Sequence, residues 1–200
     1  MPKQTVERTN QDKPKGYMDN FTIIHDQAIQ QWVCEEIIEK FHSLPLVEMI
    51  ELEGNSFLPK EKQYRDKNHR YECDGRIHAN IYPSQMFNEI IDMIHFALPK
   101  GHDFETISYM QCICYTEGSH FPWHMDEAES TDTGTSILFL NDDFLGGELT
   151  VNGTTIATKV GTLVGFNKST TTWHSVAPVL RGDRYCLAIW YCNEGDNYAS

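Results

Sequence analysis

Residues 148–158, Glu148-Leu-Thr-Val-Asn-Gly-Thr-Thr-Ile-Ala-Thr158, are two short runs of β-branched and apolar residues joined by Asn152-Gly153. A two-residue type I′ turn needs positive φ at both central positions, which Asn and Gly tolerate best, so this stretch predicts a β-hairpin. The same texture extends in both directions. Phe104 to Tyr115, Ser136 to Asn141, Glu148 to Val151, Thr154 to Thr158, Thr162 to Phe166, Thr172 to Val176 and Arg184 to Cys192 read as strands, separated by Gly, Asn and Asp turns. No helix signal appears after Gly101 and no internal repeat is visible, so a β core over about residues 104–192 is expected.

Upstream the period changes. From Asp26, a candidate N-cap, Ile29, Trp32, Val33, Ile37 and Phe41 recur at steps of three and four, marking an amphipathic helix that ends near Pro45. A second helix opens at Pro83-Ser84, runs through Met86, Phe87, Ile90, Ile91, Ile94 and Ala97, and stops before Pro99, whose ring disfavours helical backbone at Leu98. Two helices followed by an antiparallel β half predict a jelly roll with helices packed on one sheet. Between the helices, Lys60 to Arg76 carries six basic and four acidic residues with Tyr64 and Tyr71 among them. That composition reads as a solvated loop or exposed hairpin, with a substrate-gripping loop as its functional alternative. Residues 1–20 are polar and without period, as in a flexible tail, which leaves 21–200 as one domain.

Composition bounds the function. A chain of 200 residues, 40% hydrophobic and 12% aromatic, can bury one substantial core. The net charge of -13 disfavours wholesale binding to nucleic acid or anionic membranes. No apolar run approaches the roughly 20 residues that span a bilayer, and the first ten residues lack the apolar core of a secretory signal, so a cytoplasmic location is expected. The six cysteines form no Cys-x-x-Cys pair and read as reduced, mostly buried thiols.

His124 and Asp126 are two apart, so on a strand they present an imidazole and a carboxylate to one side. Alone, His-x-Asp is a weak pattern. Fifty residues on, His174 lies in another β segment and can complete a two-His, one-carboxylate triad, the set that leaves positions open on non-haem iron. Arg184 follows, a planar cation suited to two-pronged recognition of a carboxylate. Along its strand Arg184, Cys186, Ala188 and Trp190 share one face while Tyr185, Leu187, Ile189 and Tyr191 share the other. Small residues thus flank the cation, with Trp190 as an aromatic wall one layer away. By the same count Tyr115, Ile113, Gln111 and Tyr109 share a face, which makes Gln111 and Tyr109 candidate pocket residues. His120 stands four before His124, but Pro122 opposes a helix between them, so His120 is expected near the metal and not on it.

His124-Met-Asp126, Leu138-Phe-Leu-Asn141, Gly146-Gly-Glu-Leu149, Gly161-Thr-Leu-Val164, His174-Ser-Val-Ala-Pro178 and Arg184-Tyr-Cys-Leu-Ala-Ile-Trp-Tyr191 occur in one order at compatible distances. Together they resemble the iron(II)- and 2-oxoglutarate-dependent dioxygenase superfamily, and are most similar to its prolyl 4-hydroxylase-like members, over about residues 107–192. The resemblance implies a double-stranded β-helix, Fe(II) held by His124, Asp126 and His174, and 2-oxoglutarate held by Arg184 with a hydrogen bond from Tyr115. It also implies dioxygen as oxidant, ascorbate as a candidate reductant, and hydroxylation of a C–H bond on a prolyl residue of a peptide or protein, with release of succinate and CO2. The pattern departs at Phe121 and Phe139, where some members carry a co-substrate-binding tyrosine. Asp126 argues against the halogenating relatives, in which a small residue replaces the carboxylate.

Three alternatives stand beside this reading. One is hydroxylation of a free amino acid or other small molecule, one a non-catalytic jelly roll that keeps a structural metal, and one a zinc hydrolase, in which an arginine beside the metal has no necessary role. Among smaller features, Gly146 and Gly147 read as a turn and not a phosphate cradle, since no helix start follows. Glu127, Glu129 and Asp132 lack the spacing of a calcium loop.

Overall fold

The computed structural model describes residues 5–8, 21–47, 49–52, 56–59, 70–73, 75–81, 88–98, 104, 106–126, 132–168 and 172–193. The N-terminal part contains β1 (Thr5–Arg8), β2 (Phe21–His25), α1 (Gln31–Ser43), β3 (Leu46–Val47), β4 (Met49–Leu52), β5 (Ser56–Pro59), β6 (Arg70–Cys73), β7 (Arg76–Ile81) and α2 (Asn88–Ala97). The β half follows as β8 (Thr106–Tyr115), β9 (Phe121–His124), β10 (Asp132–Phe139), β11 (Leu145–Gly146), β12 (Leu149–Val151), β13 (Thr154–Ile156), β14 (Leu163–Asn167), β15 (His174–Val176), β16 (Val179–Arg181) and β17 (Arg184–Cys192).

Among the described residues these strands make a nine-stranded major sheet, ordered β1-β2-β14-β10-β17-β8-β7-β6-β3, and a four-stranded minor sheet, ordered β13-β12-β15-β9. Two small ribbons, β11-β16 and β4-β5, complete the set. The architecture is the double-stranded β-helix, a mainly antiparallel jelly roll with helices on one sheet.

Alternation along β17 separates two cores. Tyr185, Leu187, Ile189 and Tyr191 join Met110, Cys112, Leu138 and Leu163 beneath Val33, Ile37 and Phe41 of α1 and Ile90 and Ile94 of α2. Cys186 and Ala188 turn the other way and cluster with Ile113, Tyr115 and Phe139 of the major sheet and Leu149, Val151 and Val176 of the minor one. A strand with period two can serve both sides only if both want burial, which is why β17 is almost unbroken in apolar character.

The hairpin read from Asn152-Gly153 is present, with φ of 48° and 83° at the two residues and Val151 paired with Thr154. The helix starts differ from expectation. Asp26 lies in a turn, Gln27 takes a φ of 56°, and α1 begins at Gln31 with Gln30 as its cap. The cause is tertiary: Ile29 N–H donates to the Gly161 carbonyl, and Gly161 lies so near the Ile29 carbonyl that a side chain there would collide with it. Ile29 is buried, yet ahead of the helix. The Pro83-Ser84 start falls outside the described residues, and α2 is described from Asn88. Within the expected N-terminal tail, Thr5–Arg8 pairs antiparallel with β2 at the sheet edge, and the remainder of residues 1–20 lies outside the described residues. The charged segment ends in a hairpin, β6 paired with β7, while residues 60–69 lie outside the described residues. Among the described residues no helix is long and apolar enough to cross a membrane.

Candidate active site

The minor sheet brings two distant histidines face to face. β15 and β9 pair antiparallel with His174 directly opposite His124, and their ring centroids stand 4.0 Å apart. Asp126 follows β9 by two residues, and its Oδ1 lies 3.6 Å from His174 Nε2 and 3.9 Å from His124 Nε2. One donor atom from each of the three residues falls within 4.8 Å of the others, a spacing that one cation can bridge.

Neighbours orient these donors. His124 Nδ1 lies 2.9 Å from the Pro122 carbonyl, which can only accept, so Nδ1 carries the proton and the Nε2 lone pair faces the cluster. Thr135 on β10 donates to Asp126 Oδ2 at 2.5 Å, leaving Oδ1 turned toward the histidines. Burial pushes the His174 imidazole down to about 4, against the opposing pull of Asp126, so at neutral pH it is an uncharged ligand donor. Phe121 and Phe166 pack on the two imidazoles, with centroids 4.0 Å from His124 and 4.9 Å from His174.

A cavity of about 380 Å³ runs from this triad between the two sheets. Across it, at the start of β17, Arg184 is wholly buried. Its Nη1 donates to Cys186 Sγ at 3.3 Å, but Nε and Nη2 are buried without a hydrogen-bond partner. A buried cation with idle donors is costly unless an anion arrives to accept from them. The guanidinium lies over Tyr115, 4.8 Å from the ring centroid, and 5.3 Å from that of Phe139. Tyr115 is nearly enclosed, and desolvation raises its pKa although Arg184 and Arg76 pull the other way, so the phenol keeps the proton it could donate. Gly147 takes a φ of 67°, and a Cβ there would meet Arg184 Cδ at 2.9 Å, so the Gly146-Gly147 turn also makes room for the cation's stem.

The donor chemistry therefore fits a divalent metal at one end of the cavity and a carboxylate at the other. Cys186, Ala188 and Trp190 line the cavity, and Trp190 is the Cα partner of Thr135, the residue that donates to Asp126. Gln111 also lines it. Tyr109 stands behind, with its hydroxyl accepting from Gln111 Nε2 at 3.1 Å and its ring 5.2 Å from that of Trp190. His120 is exposed and contributes no donor to the cluster.

Several lining residues were not singled out from sequence: Arg76, His78, Phe121 as a packing surface, and Thr135. Arg76 ends the segment that composition described as a solvated loop or exposed hairpin and His78 lies just beyond it, yet both are buried. Asp74-Gly75, followed by polar and apolar residues in alternation, was the available signal, the same turn chemistry as Asn152-Gly153. Thr135 carries no such signal, because its partner is set only by the pairing of β10 with β17.

Residues 110–192 match the family model of the 2OG-Fe(II) oxygenase superfamily. No curated protein is similar in sequence. Among solved structures, this chain is similar to a viral collagen prolyl hydroxylase from Paramecium Bursaria Chlorella virus-1 in its 2OG complex, at 19% identity and a TM-score of 0.58 over 84% of this chain and 93% of that one. A Pseudomonas putida prolyl-4-hydroxylase is similar at 19% identity and a TM-score of 0.61, over 87% of this chain and 93% of that one. A prolyl hydroxylase from Trichoplax adhaerens, in complex with a hypoxia inducible factor oxygen degradation domain peptide fragment, is similar at 17% identity and a TM-score of 0.60, over 90% of this chain and 86% of that one. At such identities the likeness is one of fold.

Proposed function

We propose that this chain, a member of the 2OG-Fe(II) oxygenase superfamily through residues 110–192, hydroxylates a prolyl residue of a peptide or protein. The observation that carries the reading is one cavity with His124, Asp126 and His174 converging at one end and the unsatisfied donors of Arg184 at the other. His124 Nε2, Asp126 Oδ1 and His174 Nε2 hold the iron. Arg184 grips the far carboxylate of 2-oxoglutarate, to which Tyr115 donates a further hydrogen bond. When bound, iron(II) and 2-oxoglutarate supply the oxidation of a C–H bond by dioxygen, with succinate and CO2 released. The protein's own work is to fix the donors, keep bulk water from a cavity walled by Ile113, Phe121, Ile137 and Val176, and position the substrate beside Trp190.

A prolyl substrate in a peptide is supported by the prolyl hydroxylases of like fold, one of them bound to a peptide. Residues 21–200 act as one domain in this reading. The five buried free cysteines described suit a reducing compartment, which supports a cytoplasmic location.

The test is succinate formation from 2-oxoglutarate by anaerobically iron-loaded protein on exposure to air, with and without a proline-rich peptide, beside His174→Ala and Arg184→Ala. Succinate from the wild type alone, stimulated by the peptide, is the expected result. Stimulation by free proline but not by peptides would transfer the activity to small molecules. Iron binding with no affinity for 2-oxoglutarate would reduce the site to a structural metal.

A further inference from the structure

A thiol stands beside Arg184 in the cavity. Cys186 follows two residues along β17, on the same face, and its sulfur accepts from Arg184 Nη1 at 3.3 Å. The other donors of that guanidinium, Nε and Nη2, are buried without a hydrogen-bond partner. Of the five free cysteines described, Cys186 is the one that lines the cavity. Gln111, Asp126 and Trp190 line the same cavity and are each partly exposed, so it opens to solvent and admits a molecule as small as a peroxide.

The remaining thiols are placed differently. Cys34, Cys112 and Cys114 pack in the core beneath the helices, where burial pushes Cys34 and Cys114 up to about 11 and raises Cys112 as well. A thiol that keeps its proton attacks oxidants poorly, so these three are inert. Cys192 is fully buried. At Cys186 the surroundings favour the oxidised product. A guanidinium holds its donors in one planar fork, so an oxygen carried on a sulfur 3.3 Å from Nη1 comes within reach of the partnerless Nη2. That oxygen gives an acceptor to a buried donor, which is costly to leave idle. The far carboxylate of 2-oxoglutarate needs the same donors, so the two occupants exclude each other.

We propose that Cys186 is an oxidation site: hydrogen peroxide converts its thiol to a sulfenic acid, which Arg184 holds and which bars 2-oxoglutarate from the same donors. In this step a sulfur–oxygen bond forms and the peroxide O–O bond breaks. The sulfur loses two electrons, the peroxide gains them, and the thiol proton leaves with the second oxygen as water. A thiol reductant reverses the change, forming a mixed disulfide with loss of water that a second thiol resolves. The exclusion rests on the oxygenase reading of the cavity, and the oxidation on the cysteine and arginine alone.

The experiment exposes the manganese(II)-loaded full chain to hydrogen peroxide, removes the peroxide with catalase, and unfolds the protein in dimedone, which traps sulfenic acid wherever it lies. Peptide mass spectrometry is expected to find the adduct on Cys186 ahead of Cys34, Cys112, Cys114 and Cys192. With 2-oxoglutarate present at about 100 times its Kd, labelling should slow by about 100-fold, the factor by which a competing ligand reduces the free site. Calorimetry gives a second readout. Peroxide should weaken 2-oxoglutarate binding by about tenfold or more, the worth of a hydrogen bond to a charged group, and dithiothreitol should restore it. Cys186→Ala and Cys186→Ser should each lose that sensitivity, every variant being compared with itself before and after peroxide, with circular dichroism melts establishing folding. Label on the other cysteines in place of Cys186, or labelling of Cys186 that 2-oxoglutarate does not slow, overturns the inference while leaving the oxygenase reading intact. A loss of affinity that persists in both variants overturns it as well, since the damage then lies elsewhere. A wild type that binds no 2-oxoglutarate before treatment overturns the oxygenase reading and the exclusion together, and the labelling pattern alone then decides the oxidation.

Discussion

The two faces of the major sheet are built from the same strands and have opposite characters. On the helix side, Tyr185, Leu187, Ile189 and Tyr191 of β17 bury among aliphatic and aromatic groups of α1 and α2. On the cavity side, Arg184, Cys186, Ala188 and Trp190 of the same strand face a space lined by two guanidiniums, three imidazoles and a carboxylate. One face gains free energy by excluding water from apolar area, at about 25 cal/mol per Å². The other sacrifices some of it, because buried donors such as Arg184 Nε and Nη2 lack partners. The stability of one face supports the preorganised polarity of the other.

If that division is right, damage to the two faces should read out in different assays. The largest effect belongs to Asp126→Ala, which should bring succinate formation to background while the melting temperature of the metal-free protein stays within a few degrees of wild type. A collapse of the fold would break the comparison. Leu187→Ala, on the dry face, should cost about 2–5 kcal/mol in urea denaturation and leave turnover per folded molecule unchanged; lost turnover with intact stability would reverse the assignment. Thr135→Val removes the donor that aims Asp126 and should weaken iron binding by about 10- to 100-fold, measurable by competition with a chelator. The smallest change is a gain. Arg184→Met, which replaces a buried cation by an apolar side chain, should stabilise the ligand-free protein by about 1 kcal/mol, a rise of about 2–4 °C in Tm, and abolish the further rise that 2-oxoglutarate gives the metal-loaded wild type. A fall in Tm would mean that stacking on Tyr115 and Phe139 outweighs the cost of burial.

Much of this organisation is legible in the chain before it folds. The alternation of 184–192 separates Arg184 and Trp190 from Leu187 and Ile189, and the cores divide along that line. Asn152-Gly153 announces its hairpin because both residues accept the positive φ that the turn demands. Other features stayed hidden. Asp26 has the chemistry of a cap, but the hydrogen bond from Ile29 to Gly161, contributed by a segment more than a hundred residues away, delays α1 to Gln31. Arg76 sits in a stretch so rich in charge that solvation is the natural reading, and its burial follows from a pairing of β7 with β8 that composition does not encode.

What the sequence determined by itself was therefore local: strand faces, turns with positive φ, and a His-x-Asp step that sets an imidazole and a carboxylate on one side. These follow from covalent geometry and period two, which each short segment carries in itself. Which strand His174 would oppose, how near Asp126 would come to it, and that Arg76 and Arg184 would bracket one tyrosine were decided by register across the sheets. Register is set by the summed burial of every pair along two strands, since a slip of one residue turns each side chain to the wrong face, and no segment holds that sum alone.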